Sequence, residues 1–392
     1  MPETHTASVT EATAIPADHS EVRGALGEAQ PTAVPTVDMP HDELRARHTA
    51  AALKPRLNLA PRRVSAVYLW IGFVILFALL EPGVYLSSVT LQLIFSEGAV
   101  TCLVALAFLV PLIAGAYDLS VGAVMATSVV LATWLQLHTS LPPALGAIIC
   151  VAVCTLFGWI SGFVIVRLKV NSFIATLGMS QALLAVVLLI SHNSQLVANF
   201  PSSWSNLGLN KILGVPLVDV YLVAIACVLW YVLEHTRLGR YLAATGGNPE
   251  AARLAGVPTD RMVWGALAAS GAIAGIAGVI YGMRVGTFDA TVGPGYLFPA
   301  VTAVFLGASQ LSQRPNVWGT LIAYFALAFG IQGLALASSS AAVWSQPLFQ
   351  GIALILAVAM TNLPALRRRA GRARQRLSAR GQAAAATEGE SS

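Results

Sequence analysis

Ten largely apolar runs recur along the chain, near residues 65–83, 92–116, 119–138, 143–166, 172–192, 216–234, 262–283, 296–311, 317–337 and 345–363. Runs of this kind are long enough to span ~30 Å of hydrocarbon as helices. The pattern predicts an all-α polytopic membrane protein with about ten transmembrane helices. Two joints interrupt it. Pro111 and Gly115 lie in the second run, with the polar Tyr117-Asp118 directly after, and the eighth run, expected to start after Gly293-Pro294-Gly295, is short and contains Pro299. Irregular backbone at membrane depth is tolerated where it is buried in protein or lines a cavity. Interrupted segments in both halves therefore predict some broken or short helices and suggest a two-half pseudo-repeat.

The polar remainder divides the chain into three parts. Residues 1–60, rich in Ala, Thr, Pro, Glu and His without sustained periodicity, are expected to form a disordered N-terminal tail with a short helix around Asp42–Leu53. Residues 61–365 are the transmembrane domain. Residues 366–392 are Arg-rich, then Ala- and Glu-rich, and are expected to lie loosely against anionic lipid. Basic residues gather at Arg62-Arg63, Arg167-Leu168-Lys169, the loop at about 235–261, Arg314 and Arg367 onward, all beside apolar runs. An even number of spans puts both termini and all these loops on one side. By the positive-inside rule that side is cytoplasmic, and Asp289 falls outside. No cleavable signal peptide is expected, since the first apolar run begins only near Val64, and Arg62-Arg63 reads as an anchor for that span.

Composition sharpens the class. The chain has 392 residues, 56% hydrophobic and 10% charged, with a mean hydropathy of +0.71. Soluble domains carry about 25% charged residues, so ionic groups here are too few to cover a globular surface. The formal charge of +5 sits at span ends without the interleaved exposed aromatics of a nucleic-acid groove, which argues against a nucleic-acid partner. Cys102, Cys150, Cys154 and Cys227 all fall inside apolar runs. Cys150 and Cys154 share a helix face, but no His or acidic partner is near, so they read as small buried residues and no metal site is expected. No phosphate-binding G-x-x-x-x-G-K-[ST], no H-E-x-x-H and no G-x-S-x-G occurs. No catalytic residue and no cofactor bound by this chain is expected, and nucleotide energy would enter through another chain.

Three stretches carry candidate function. In "AGAYDLSVGAVMA", Asp118 precedes Ser120 and could cap the third span, or Asp118 and Ser120 could stand on the translocation path, where ionisable intramembrane groups face the bundle interior or water. In "NSFIATLGMSQALL", Asn171 and Ser172 can start a helix. Thr176, Ser180 and Gln181 then give one face a polar edge, suited either to helix packing or to solute contact. In "GGNPEAARLAGVP", Asn248 is a good N-cap, Pro249 fits a first turn, and Glu250 suits the positive end of the dipole. Gly256 can close the end in the left-handed region, and Pro258 forbids continuation. That predicts a rigid helix of about seven residues, roughly 10 Å long, with the small body Ala251-Ala252-Arg253-Leu254-Ala255. Local signals alone leave open whether it is a working part or a tidied loop.

The order of "YDLSVGAVMA", "NSFIATLG", "TRLGRYLAATGGNPEAARLAGVP" and "AVTAVFLGASQL" followed by "VWGTLIA" resembles the permease subunits of ribose-type sugar ABC importers. The wider family includes branched-chain amino-acid permeases. The resemblance spans roughly residues 65–363. It implies about ten spans per subunit, a second permease subunit (the same chain or a different one), ABC ATPase subunits carrying ATP and Mg, an extracytoplasmic solute-binding protein, and a place in the bacterial plasma membrane. It further implies that Asn248, Pro249, Glu250, Ala251, Ala252, Arg253, Leu254 and Gly256 form the coupling helix that docks into the ATPase. Asp118, Ser120, Asn171, Thr176, Gln181 and Phe305 are the candidates for the translocation path or its gate. The expected activity is import of a small polar solute, a monosaccharide first, by alternating access. The same machinery could carry a nucleoside, an autoinducer-like sugar or a branched-chain amino acid. A secondary transporter driven by an ion gradient would want paired intramembrane carboxylates, and Asp118 stands nearly alone among the readings above.

Overall fold

The structure is a computed structural model that describes residues 65–289, 292–310, 314–338, 340, 343–356 and 359. The tails expected at 1–60 and 366–392, and the short helix expected around Asp42–Leu53, lie outside the described residues. Each of the ten apolar runs contains a helix. These are α1 Ser65–Leu80, α2 Ser88–Ile113, α3 Val121–His138, α4 Pro143–Arg167, α5 Ser172–Ser191, α7 Leu217–His235, α10 Thr259–Val285, α11 Val292–Gln310, α12 Val317–Ala337 and α13 Val343–Leu356. Among the described residues, eight of these are long and apolar enough to cross a membrane, while α1 and α13 contribute shorter apolar stretches. Three further helices among the described residues lie outside the apolar runs: α6 Ser202–Leu209, α8 Arg237–Gly247 and α9 Pro249–Leu254.

One boundary differs from expectation. The eighth run does not wait for the end of Gly293-Pro294-Gly295; α11 begins at Val292 and absorbs all three. Pro294 sits in the first turn, where its missing N–H would have had no intrahelical acceptor. Pro299 alone interrupts the ladder.

Helix α2 is the axis of the bundle, with every residue from Gly98 to Pro111 buried. It touches α3, α7, α10, α11 and α12. The most extensive helix pair, α4 with α10, is built on small residues. A Cβ on Gly271 would strike the Cys154 carbonyl oxygen and come within 3.2 Å of the Gly158 Cα, and one on Gly275 would lie 3.2 Å from the Val151 Cα. On the other flank of α10, a Cβ on Gly278 would stand 2.7 Å from the Met125 carbonyl oxygen of α3, and Ser128 Oγ donates to the Gly275 carbonyl at 2.8 Å. Backbones meet this closely only where side chains vanish, and dispersion then does the work that water exclusion does in soluble proteins.

The bundle has two chemically different ends. At one end α7 runs directly into α8 and α9 before α10 begins. At the other lie α6 and two short antiparallel ladders. β1 Leu196–Val197 pairs with β4 Thr287–Phe288, with Leu196 opposite Phe288. β2 Lys211–Ile212 pairs with β3 Val215–Pro216, with Ile212 opposite Val215. The turn between β2 and β3 has Leu213 and Gly214 at φ 52° and 83°, the paired positive angles of a tight hairpin turn. Aromatic side chains pin α1 to α12: Phe73 and Phe77 sit over Gly330 and Gly333, and the fully buried Tyr85 donates its hydroxyl to the Phe329 carbonyl at 2.9 Å.

Gly271→Ala is expected to cost about 1–3 kcal/mol by overpacking the α4–α10 contact. Gly265→Ala, on the same helix with open space around it, should leave stability unchanged or slightly raised. Melting temperatures of the two variants in detergent check the contrast; equal behaviour would remove the glycine contact as a determinant.

Candidate functional site

The loop at 235–261 folds as two helices meeting at Asn248. The backbone of Asn248 is extended, at φ −156° and ψ 99°, and its side chain accepts the Ala251 N–H at 3.0 Å. Such a cap contributes about 1 kcal/mol. At the far end Gly256 takes φ 82°. Its N–H bonds the Arg253 carbonyl at 3.0 Å while the Val257 N–H bonds the Ala252 carbonyl at 2.9 Å. These two bonds are the Schellman closure expected of a left-handed glycine. The helix itself is Pro249–Leu254, six residues, about 9 Å at 1.5 Å per residue. Ala252 is buried against the chain, whereas Leu254 is 90% exposed. Arg253 stands 3.6 Å from Asp260, which also lies 3.7 Å from Lys169. These half-exposed pairs contribute little energy, but they tie the end of α4, the short helix and the start of α10 at one place.

Helix α8 was not anticipated from the sequence, although its signal is present. Thr236 caps it, its side chain accepting the Gly239 N–H at 3.4 Å, and Leu238, Leu242 and Thr245 follow at helical spacing, with Leu242 and Thr245 buried. The Gly246-Gly247 pair at its end hides the periodicity. Gly246 also lies hard against the end of α2. A Cβ there would strike the Ile113 carbonyl oxygen and lie 2.9 Å from the Gly115 nitrogen. Gly115, at φ 83°, turns the chain just past the end of α2. The short helix is thus linked through one residue-width of backbone to the joint between α2 and α3.

That joint is where Asp118 and Ser120 sit, both 1% exposed. The Asp118 Oδ1 accepts the Ser120 backbone N–H at 3.0 Å and its hydroxyl at 2.5 Å. An Asx turn of this kind holds the chain in shape before α3; the N-cap position falls to Ser120, which makes no side-chain cap bond, so Asp118 braces the turn ahead of the helix and does not cap it. From α5, Thr176 Oγ1 accepts the Leu119 N–H at 3.1 Å and donates to the Ser172 carbonyl at 2.8 Å, while Ser172 Oγ accepts the Tyr117 N–H at 3.1 Å. Asn171 caps α5, accepting the Phe173 N–H at 2.9 Å. Asp118, Ser120, Thr176 and Asn171 therefore belong to one assembly, whereas Gln181 is exposed on α5 and Phe305 packs against Phe108 within the core.

Two cavities flank this framework. Beneath α8, a groove of about 920 Å³ is lined by Ile113, Glu234, Arg240, Gly247 and Arg314, among others. At the opposite end, a cavity of about 310 Å³ lies between α2, α11, α12 and α13. Neither is lined by the path candidates read from the sequence. Near the second cavity, Arg284 of α10 lies 3.4 Å from Glu97 of α2 and bonds the Ser96 carbonyl at 3.2 Å. An isolated charge within the second apolar run, Glu97, and one at the end of the seventh, Arg284, were the available signal for this pair. Among the described residues no cluster of metal-ligating side chains occurs.

Residues 90–359 match the family described as branched-chain amino acid transport system / permease component. The chain belongs to this permease family. Among curated proteins it is similar to the fructose import permease protein of Rhizobium meliloti, 33% identical over 312 residues, 78% of this chain and 86% of that protein. It is also similar to the ribose import permease protein of Escherichia coli K12, 30% identical over 69% of this chain and 84% of that protein. The D-allose transport system permease protein of the same organism is 29% identical over 60% of this chain and 72% of that protein. No solved structure matches the chain at a significant level. The permease is accordingly a multi-pass membrane protein, and the Asx-turn joint, α8 and the short helix all lie within the matched region.

Thr176→Val should strand the Leu119 N–H and cost about 1–3 kcal/mol, while Thr176→Ser retains the acceptor and should lie near the parent. Thermal unfolding of the detergent-solubilised variants checks this, and a neutral Thr176→Val would show that water satisfies the joint instead.

Proposed function

We propose that this chain is the membrane-spanning subunit of an ATP-driven ABC importer for a monosaccharide. In this reading the chain is not an enzyme and binds no cofactor; ATP and Mg reside on partner ATPase subunits. The carrying observation is the short capped helix α9, which presents an almost fully exposed Leu254 and is joined through Gly246 to the α2–α3 joint. An exposed large apolar side chain on a rigid, protruding turn suits a partner's groove. Rigid caps at both ends let displacement pass along the helix rather than be lost as fraying. A second permease subunit, identical or different, an extracytoplasmic solute-binding protein and the lipid bilayer complete the proposed assembly.

The sidedness follows from charge. Arg240 and Arg314 line one groove, and Lys169 and Arg253 share Asp260, so the basic loops gather at the α8–α9 end. The positive-inside rule makes that end cytoplasmic and, with an even number of spans, places both termini there, in a bacterial plasma membrane. Alternating access then needs the α2–α3 joint to move when α9 moves, which the Gly246–Gly115 contact supports. The names of the fructose, ribose and allose relatives support a sugar as cargo over the amino acids in the family's description.

Leu254→Asp combined with Arg253→Glu is expected to abolish ATPase co-purification and reduce solute uptake more than tenfold while membrane insertion is retained. Co-purification and radiolabelled sugar uptake at parental levels would remove α9 as the docking element. Ala252 is unsuitable for this purpose, because its buried side chain packs against the permease itself.

A further inference from the structure

The cavity at the end opposite α8 and α9 is built from repeated polar positions rather than a stray residue. Glu97 and Thr101 lie one turn apart on α2, Gln346 and Gln350 one turn apart on α13, and Tyr324 and Gln332 two turns apart on α12, with Tyr296 added from α11. Residues four apart share a helix face, so three helices each turn a polar strip into the same space. Glu97 is 60% exposed at its side chain, yet it stands more than two turns inside α2, roughly 14 Å from the helix start. A carboxylate at that depth faces water or protein, not lipid. The same argument applies to glutamine amides, which lipid cannot satisfy. The volume, about 310 Å³, falls at the small-ligand end of binding cavities.

The charge pattern narrows the ligand. Glu97 is the one charged residue of the lining, and Arg284, behind it, already engages its Oε1 at 3.4 Å. No cation of the lining is placed to receive a carboxylate, so an amino acid lacks its main anchor. Three amides offer paired donors and acceptors, which match neighbouring hydroxyls. Two tyrosines offer ring faces against which the C–H face of a pyranose or furanose can pack.

We propose that this cavity is a solute subsite on the outer side of the permease, in which Gln332, Gln346, Gln350 and Glu97 hold the hydroxyls of a neutral sugar against Tyr296 and Tyr324. The assignment rests on the reading of the chain as a sugar importer and adds the residues that contact cargo. These residues determine preference among sugars once the binding protein has delivered one. Of the other cavities, the groove of about 610 Å³ between α4, α7 and α10 is walled almost wholly by apolar side chains and suits lipid, and the groove under α8 belongs to the coupling loop.

The test uses the whole transporter, with its ATPase and binding protein, in cells. Uptake of radiolabelled D-fructose, D-ribose and D-allose is measured for the parent and for Gln346→Leu and Gln350→Leu. Loss of a hydrogen bond to a hydroxyl is expected to raise the KM of the transported sugar by up to roughly tenfold and to change the ratio between sugars, with ATPase co-purification retained. In a Cys227→Ser background, where Cys102, Cys150 and Cys154 are buried, Gln350→Cys should react with a membrane-impermeant maleimide from outside, and the transported sugar should slow that reaction. Parental uptake of none of the three sugars overturns the importer reading and the subsite together. Sugar uptake by the parent with unaltered KM in both leucine variants, or a Gln350→Cys that is unreactive from outside, overturns the subsite alone.

Discussion

The close approach of α10 to α4 and α3 is the constraint on which the rest of the bundle depends. In a bilayer, apolar side chains gain nothing by leaving lipid for protein, so helices associate where backbones can come near. Gly158, Gly271 and Gly275 bring α4 and α10 together, and Gly278 with Ser128 closes the α3 side. With α10 held, α2 is enclosed, and its buried stretch from Gly98 to Pro111 acquires neighbours on every side. The position of α10 also sets where its two ends emerge. Its start, at Thr259, carries Asp260 to Lys169 and Arg253; its end delivers Arg284 to Glu97. A helix–helix contact built mainly on small residues thus decides where both polar sites form.

The α2–α3 joint shows how a membrane protein affords irregular backbone. Between Ile113 and Val121 the chain leaves helical geometry, and the released polar groups must be met within the protein. Gly115 turns the chain, Asp118 takes the Ser120 N–H and hydroxyl, and Thr176 takes the Leu119 N–H. Local and long-range partners therefore share one task. A buried carboxylate satisfied this closely is a positioning element: moving the joint would require exchanging these hydrogen bonds as a set. In the proposed import cycle, such a set would exchange between discrete arrangements rather than deform continuously.

Much of the architecture was legible because hydropathy is a direct reading of the bilayer constraint. All ten runs hold helices, and the Asn248 cap and Gly256 closure were readable because capping is local chemistry. The remainder depended on relations between distant residues. Nothing near Gly246 in the chain indicates that Ile113 lies against it, and the Ala252 side chain could not be known to point inward from its size. The eighth helix was mis-started because a Gly-Pro-Gly sequence reads as a break, though the first turn of a helix tolerates all three residues. The polar cavity was missed for a related reason. Glu97, Gln332, Gln346 and Gln350 are scattered over three apolar runs, and each alone is too weak a signal. Only their convergence gives them meaning.

The two ends of the bundle make different demands on side chains, and the chain meets them with different residues. At the α8–α9 end the need is stiffness and a defined surface, supplied by caps, a left-handed glycine and one exposed leucine. At the opposite end the need is adaptable hydrogen bonding, supplied by amides and a carboxylate whose partner, Arg284, belongs to α10. Because α10 reaches both ends, a tilt that shifts Thr259 relative to α9 must also shift Arg284 relative to Glu97. The proposed import cycle therefore needs no separate relay: the lever and the wall of the outer cavity are parts of one packed helix.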